Sequence, residues 1–189
     1  MKVSREQVAL NRERIVETAA RLFRQKGYDG IGVADLMKSA GLTHGGFYGH
    51  FASKEDLLAE ATAHAFKASV ERWRGKAARA PETAMASIGE SYLSEIHRDQ
   101  PELGCSITSL GADIARLGPK VRQALTEGAK AQIGVLQELV PGADGAAKRK
   151  QALATYAAMV GAIVLARAVD DQALSVEILA AARDALPAA

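Results

Sequence analysis

Residues 43–49, Thr-His-Gly-Gly-Phe-Tyr-Gly, combine polar side chains with three glycines in one short stretch. If Leu42 and Phe47 are buried, Thr43, His44, Gly45, Gly46, Tyr48 and Gly49 remain on an outward face. That set suits recognition of a charged surface better than bond making. Each glycine inside a helix costs about 1 kcal/mol relative to alanine, so a helix made only to pack would hardly keep Gly45, Gly46 and Gly49. Missing side chains let a backbone come close to phosphate or base edges. Free N–H groups at a helix start also suit phosphate. An amphipathic helical hairpin, or a loop, would use the same residues without a partner.

Other candidates for chemistry are weaker. The histidines, His44, His50, His64 and His97, form no His-x-x-x-His pair and have no cysteine beside them, so neither a metal nor a cofactor is expected. A nucleophile–base spacing, a glycine-rich phosphate loop and paired carboxylates are all missing, so an enzyme is not expected either. The single cysteine, Cys105, excludes an internal disulfide. It stands just ahead of an expected helix, where a thiol can become more acidic, which makes it a candidate redox or electrophile sensor. No Lys or Arg lies within five residues of it. The plain alternative is a small buried side chain.

The elements that position residues 43–49 can be read from apolar spacing. A first helix is expected over Arg5–Lys26, with Ile15, Ala19, Leu22 and Phe23 on one stripe and Gly27 ending it. A second covers Val33–Ala40. Gly41 supplies a left-handed turn, and Thr43 starts a third helix as its N-cap, with Leu42 and Phe47 as a hydrophobic staple. Two short helices joined in this way make a helix-turn-helix, whose second helix can enter the major groove. A fourth helix opens at Ser53, with Asp56 completing a capping box, and is long enough to be a strut. Further helices are expected over Pro81–Arg98, Ser106–Arg116, Pro119–Val140 and Ala146–Val169, with a last one from Ser175 to before Pro187.

Composition agrees with an all-α chain: 48% of the 189 residues are hydrophobic and only 5% aromatic, and β-branched residues do not cluster. Net charge is +2, but residues 1–54 hold nine Lys/Arg against five Asp/Glu. A basic end on a mildly acidic body suits a phosphate-backbone partner at that end. The N-terminal Met-Lys-Val-Ser has no apolar run, and the longest apolar stretch, Ala152–Ala166, falls short of the roughly 20 residues of a bilayer span. No membrane association is expected, and the cytoplasm is the expected location.

The run Gly41-Leu42-Thr43-His44-Gly45-Gly46-Phe47-Tyr48-Gly49-His50-Phe51, then Ser53-Lys54-Glu55-Asp56-Leu57-Leu58, resembles the tetracycline-repressor (TetR/AcrR) family of bacterial regulators. The helix ending in Phe23-Arg24-Gln25-Lys26-Gly27-Tyr28 is similar to that family's first helix. The resemblance implies a homodimer of about nine helices per subunit. A DNA-binding domain would cover 1–54 and an effector-binding and dimerisation domain 55–189. Such a protein represses transcription and leaves its double-stranded operator when a small-molecule effector binds. By position, Thr43 would cap the recognition helix and contact phosphate, and His44 would reach the groove. Tyr48, His50 and Lys54 would contact the DNA backbone. Gly46 and Gly49 depart from the polar residues usual there, and Met37 from the usual alanine. Base readout would then rest on few side chains, Lys38 and His44 among them, and on DNA shape.

In the body, Leu153, Ala157, Val160, Gly161 and Val164, with Val176 and Leu179 of the last helix, are expected at a dimer interface built as a four-helix bundle. Trp73, Tyr92, Ile96, Cys105, Leu110, Tyr156 and Met159 are the expected walls of an effector pocket. Few of these are charged, which favours a mostly apolar effector. Two rivals remain, an enzyme and a helical scaffold that does not touch DNA.

Overall fold

The computed structural model describes residues 4–187. The first three residues of the N-terminal Met-Lys-Val-Ser, read for its lack of an apolar run, lie outside them, and so does the charge of Lys2. Among the described residues there are nine α-helices, three short 3-10 segments and no strand.

Helix α1, Arg5–Lys26, begins where the Ser4 hydroxyl accepts from the Gln7 N–H at 3.1 Å. Its stripe of Ile15, Ala19, Leu22 and Phe23 is buried, and Gly27 closes it at φ 77°. Helix α2, Val33–Ser39, is followed by Gly41 at φ 72°, and the Leu42 N–H reaches the Met37 carbonyl at 2.9 Å. This tight turn matches the expectation.

The third helix differs from it. Residues His44–Gly49 form a 3-10 helix, closed by bonds such as Gly46 N–H to Thr43 carbonyl at 3.1 Å. Three glycines in six residues weaken α-helical propagation, and the tighter 3-10 ring is common in short pieces. Thr43 has the extended backbone of an N-cap, but its hydroxyl makes no capping bond. Phe47 is buried against Phe51, ring centroids 5.8 Å apart, which anchors the segment.

Helix α3, Lys54–Arg79, starts with a reciprocal cap. The Asp56 N–H donates to the Ser53 hydroxyl, and that hydroxyl donates to the Asp56 carboxylate, both at 3.0 Å. Its first turns pack in one core with Ile15, Phe23, Leu36, Met37 and Phe47, joined by Leu110, Ile114 and Val121 from the body. Its later turns enter a second core with Phe66, Trp73, Met85, Tyr92, Leu136, Tyr156 and Met159.

The single helix expected over 81–98 is broken into α4, Ala84–Tyr92, and α5, Glu95–Asp99. Leu93 leaves helical geometry at ψ 43° and buries itself fully. Ser94 then caps α5 by accepting from the His97 N–H at 3.1 Å. Helices α6, Ser106–Ile114, and α7, Pro119–Leu139, follow as expected. Helix α7 lies along α3 so closely that a Cβ on Gly128 would stand 2.1 Å from the Phe66 ring.

Helix α8, Gly145–Ala168, is capped by Asp144, and α9, Gln172–Asp184, by Asp171, which starts α9 three residues before the expected Ser175. Helix α8 has the length and composition of a membrane span. It nevertheless carries Lys148, Arg149 and Lys150 in its first two turns and buries Tyr156, Met159 and Ile163 in the second core.

Candidate nucleic-acid interface and effector cavity

The basic end of the molecule presents one polar face. His44, Gly45, Gly49, Lys38 and Thr43 are exposed, and Tyr48, 68% exposed, stands edge-on to Phe47 at 5.2 Å. A methyl group added to Gly45 or to Gly49 would meet nothing within 4 Å. The fold itself therefore does not require glycine at either place. Gly46 is different, because a Cβ there would touch Met37 at 3.7 Å and Thr43 at 3.9 Å. Gly46 is exposed like the other two, but an added methyl there would rest against its own neighbours.

Two of the expected contact residues are partly buried. Lys54 is turned inward: its ammonium donates to the Tyr28 carbonyl and lies 4.2 Å from the Tyr28 ring centroid. It pins the loop after α1 instead of standing free at the surface. His50 is half-buried, and its Nδ1 has no partner among the described residues.

Polar ties hold this head to the body. Arg12 forks onto Glu60, Arg24 donates through Nε and Nη2 to the Glu102 carbonyl, and the Tyr28 N–H donates to Asp113 at 3.1 Å. Arg24 is largely withdrawn from water, and that burial lowers its pKa to about 10, with Arg72 adding to the effect.

Of the seven expected effector-pocket residues, Trp73, Tyr92, Ile96 and Cys105 line one cavity of about 210 Å³ between α3, α4, α5 and the segment before α6. Ile96, 64% exposed, forms its rim. Tyr156 and Met159 pack in the second core behind it. Leu110 does not belong, because it faces the first core with Ile114 and Val121. Apolar surface makes up the larger share of the lining, and cations stand beside it. Ser69, Arg72 and Lys76 line it from α3, spaced so that one helix face delivers all three. That spacing was readable in the sequence. The serines of α4 and the α4–α5 joint depended on the break at Leu93 and were not.

Cys105 is 6% exposed. Its Sγ lies 3.7 Å from Gln132 Oε1 and 3.8 Å from the Tyr156 hydroxyl, which itself donates to Gln132 at 2.6 Å. Burial pushes the Tyr156 hydroxyl far above the usual phenol range. The Cys105 N–H donates to His97 Nε2 at 2.9 Å, so His97 must hold its proton on Nδ1 and donate it to the Tyr92 carbonyl at 2.6 Å. Burial first, then the nearby Arg167 and Arg24 charges, lower the His97 pKa to about 4, against the hydrogen bond to Tyr92. His97, which reads in the sequence as an ordinary helix residue, is thus a neutral brace behind the thiol.

On the outer side of the body, Leu153, Val164, Leu165, Leu174 and Val176 are exposed, and a Cβ on Gly161 would meet nothing. Ala157 is exposed with them, and Val160 is half-buried. Leu179 departs from the expected interface, because α9 turns it into its own subunit's core at 2% exposure.

Residues 15–61 match the family model described as bacterial regulatory proteins, tetR family. The transcriptional repressor NemR of Escherichia coli K12 is 26% identical over 130 residues, which are 67% of this chain and 65% of NemR. The match therefore spans just under two thirds of that relative's length. The regulator AcrR of Shigella flexneri is 41% identical over 49 residues, 26% of this chain and 23% of AcrR. In three dimensions the reduced form of E. coli NemR superposes with a TM-score of 0.78 at 24% identity, covering 95% of this chain and 99% of that one. A TetR regulator from Chloroflexus aurantiacus superposes at 0.75 with 27% identity, covering 96% and 94%.

Proposed function

The chain belongs to the TetR/AcrR family of bacterial regulators, and on that premise we propose that it is a cytoplasmic, homodimeric repressor that binds operator DNA and is released by a small-molecule effector. The observation that carries the DNA reading is the bare backbone at Gly45 and Gly49, on an exposed face beside His44, Tyr48 and Lys38. Nothing among the described residues explains why those positions lack side chains. A phosphate or base edge brought against them does.

Dimerisation is supported by the apolar outer face of α8 with Gly161 at its centre, where a second helix could approach closely. Two subunits joined there would set two heads one helical turn apart, roughly 34–36 Å, or a multiple. The effector would occupy the cavity above Cys105. It must bind the released arrangement better than the DNA-bound one, because a ligand shifts an equilibrium only by its differential affinity.

The test is selection from a random double-stranded DNA pool by the purified protein, with the retained sequences read. A palindromic consensus supports the reading. Retention without consensus, falling steeply with salt, reduces it to charge attraction. No retention by folded protein returns the helical scaffold to first place, and turnover in a hydrolase or reductase screen would favour an enzyme.

A second reading of the trigger is thiol-based. Cys105 forms part of the cavity wall, so an oxidant or electrophile that entered would meet it. Replacement by serine (Cys105→Ser) should then abolish release by such reagents. Release that persists in the variant assigns the response to noncovalent binding.

A further inference from the structure

The cavity above Cys105 carries a charge pattern that the family assignment does not explain. Two cations line it, Arg72 and Lys76, and no Asp or Glu does. Lys76 is held in place by its bonds to the Ser87 carbonyl at 2.6 Å and the Ser91 hydroxyl at 2.9 Å. The carboxylate that acts on it, Glu90, is exposed and outside the lining. Arg72 makes no ion pair or hydrogen bond among the described residues. Behind them the Tyr92 hydroxyl, in a side chain 95% withdrawn from solvent, has no nitrogen or oxygen partner among the described residues and faces the Cys105 thiol. A buried hydroxyl without an acceptor is rare in a finished fold.

We propose that this cavity binds a small organic anion, its carboxylate or similar oxyanion head held by Arg72 and Lys76 and an acceptor atom of its body reaching the Tyr92 hydroxyl. The guanidinium fork suits a planar carboxylate, and the fixed ammonium supplies a second charge. Trp73, 5.9 Å from Tyr92 and edge-on to it, offers an apolar wall for the rest of the molecule. The cavity, of about 210 Å³, has room for a ligand the size of a benzoate.

Arg72 also lines a second cleft, of about 450 Å³, between α1 and α3, which it shares with Arg21 and Arg24 of the head and with the carboxylates Glu17 and Glu102. Burial is the main cause that disfavours charged Arg24, and an anion on Arg72 would offset only the smaller part that Arg72 adds. The ligand is thus placed to change how the head sits on the body. That consequence rests on the repressor reading, whereas binding itself does not.

The experiment measures binding without DNA, so its failure is distinct from a failure of DNA recognition. The full-length protein is titrated calorimetrically with four-to-eight-carbon aliphatic and aromatic carboxylates, benzoate among them. Their uncharged amides are titrated alongside, at constant ionic strength. At least one carboxylate should bind saturably, and ten-fold or more tighter than its amide. Replacing Arg72 by glutamine (Arg72→Gln), at an exposed position that folding tolerates, should weaken that binding ten-fold or more. Tyr92→Phe, which keeps the ring, should weaken it several-fold and leave the melting temperature within a few degrees. The bound carboxylate should also slow maleimide labelling of Cys105. If no carboxylate outbinds its amide, or if Arg72→Gln binds as tightly as the parent, the proposal is wrong.

Discussion

The glycines of the 3-10 segment permit a test in which stability and DNA affinity move in opposite directions. Gly45→Ala and Gly49→Ala each add one methyl group to a position where nothing lies within 4 Å. Neither residue has positive φ. Alanine at a helical position is more stable than glycine by roughly 0.5–1 kcal/mol, so each variant should melt about 2–4 °C higher per kcal/mol gained. On DNA the same methyl would occupy the space of a phosphate or base edge. Loss of one close contact costs about 1–3 kcal/mol. A two-fold dimer loses it in both half-sites, about 2–6 kcal/mol, which weakens binding by about 25-fold or more. Fluorescence anisotropy on the selected operator at fixed salt, paired with thermal melts, reads both effects. Gly46→Ala is the comparison, since its methyl would also touch Met37 and Thr43 of the head itself. Gly45→Ala and Gly49→Ala proteins that are more stable and still bind with parental affinity would refute the reasoning.

Three further outcomes are expected. Gly41→Ala forces alanine to φ 72° and should cost about 1–2 kcal/mol, measured by urea unfolding; an unchanged midpoint would contradict the tight turn. The His97 imidazole, at about 4 in the fold against 6.5 unfolded, should titrate by NMR well below 6, and a midpoint near 6.5 would remove it from its buried place. Because the unfolded chain takes up that proton first, the associated stability of up to about 3 kcal/mol is full above pH 6.5 and declines as pH falls toward 4. Val164→Asp places a charge on the exposed face of α8 and should convert a dimer to a monomer in light scattering without unfolding it; a persistent dimer would move the interface elsewhere.

Much of the head was legible because its positions are over-determined by local chemistry. Gly41 after Leu36, Met37 and Ala40 allows one turn, and Ser53 with Asp56 allows one helix start. The 3-10 form of residues 44–49 was less legible, because glycine content predicts weak helix without saying which hydrogen-bond period replaces it. The surroundings of Lys54 were not legible either: they include the Tyr28 carbonyl and ring, 26 residues away, which hold the ammonium. In the body, large apolar residues at helical spacing predicted burial correctly for Trp73, Tyr156 and Met159. They could not say which core each joins, so Leu110 was misplaced. The charge around Cys105 was invisible in its neighbourhood along the chain, because Arg72 and Lys76 come from a helix some thirty residues earlier and Arg24 from eighty.

The division at residue 54 marks a change of charge but not a break in packing. The head's core includes Leu110, Ile114 and Val121, so helix α6 is part of it. The N-terminal end of α6 adjoins Cys105, braced by His97, and its C-terminal end carries Asp113, which accepts from the Tyr28 N–H. At Gly27, one residue before, an added Cβ would lie 3.3 Å from the Asp113 carboxylate, so the contact there is already close. Close-packed interiors do not deform continuously. A ligand that displaced residues 104–106 by even a fraction of an ångström would therefore have to shift α6 as a body or lose the Asp113 contact. Either change acts on the loop that Lys54 also holds, at the base of α3. On the proposed reading, the cavity and the DNA face are thus coupled through one nine-residue helix and two polar contacts, a short enough path for the modest binding energy of a small effector to bias the orientation of the head.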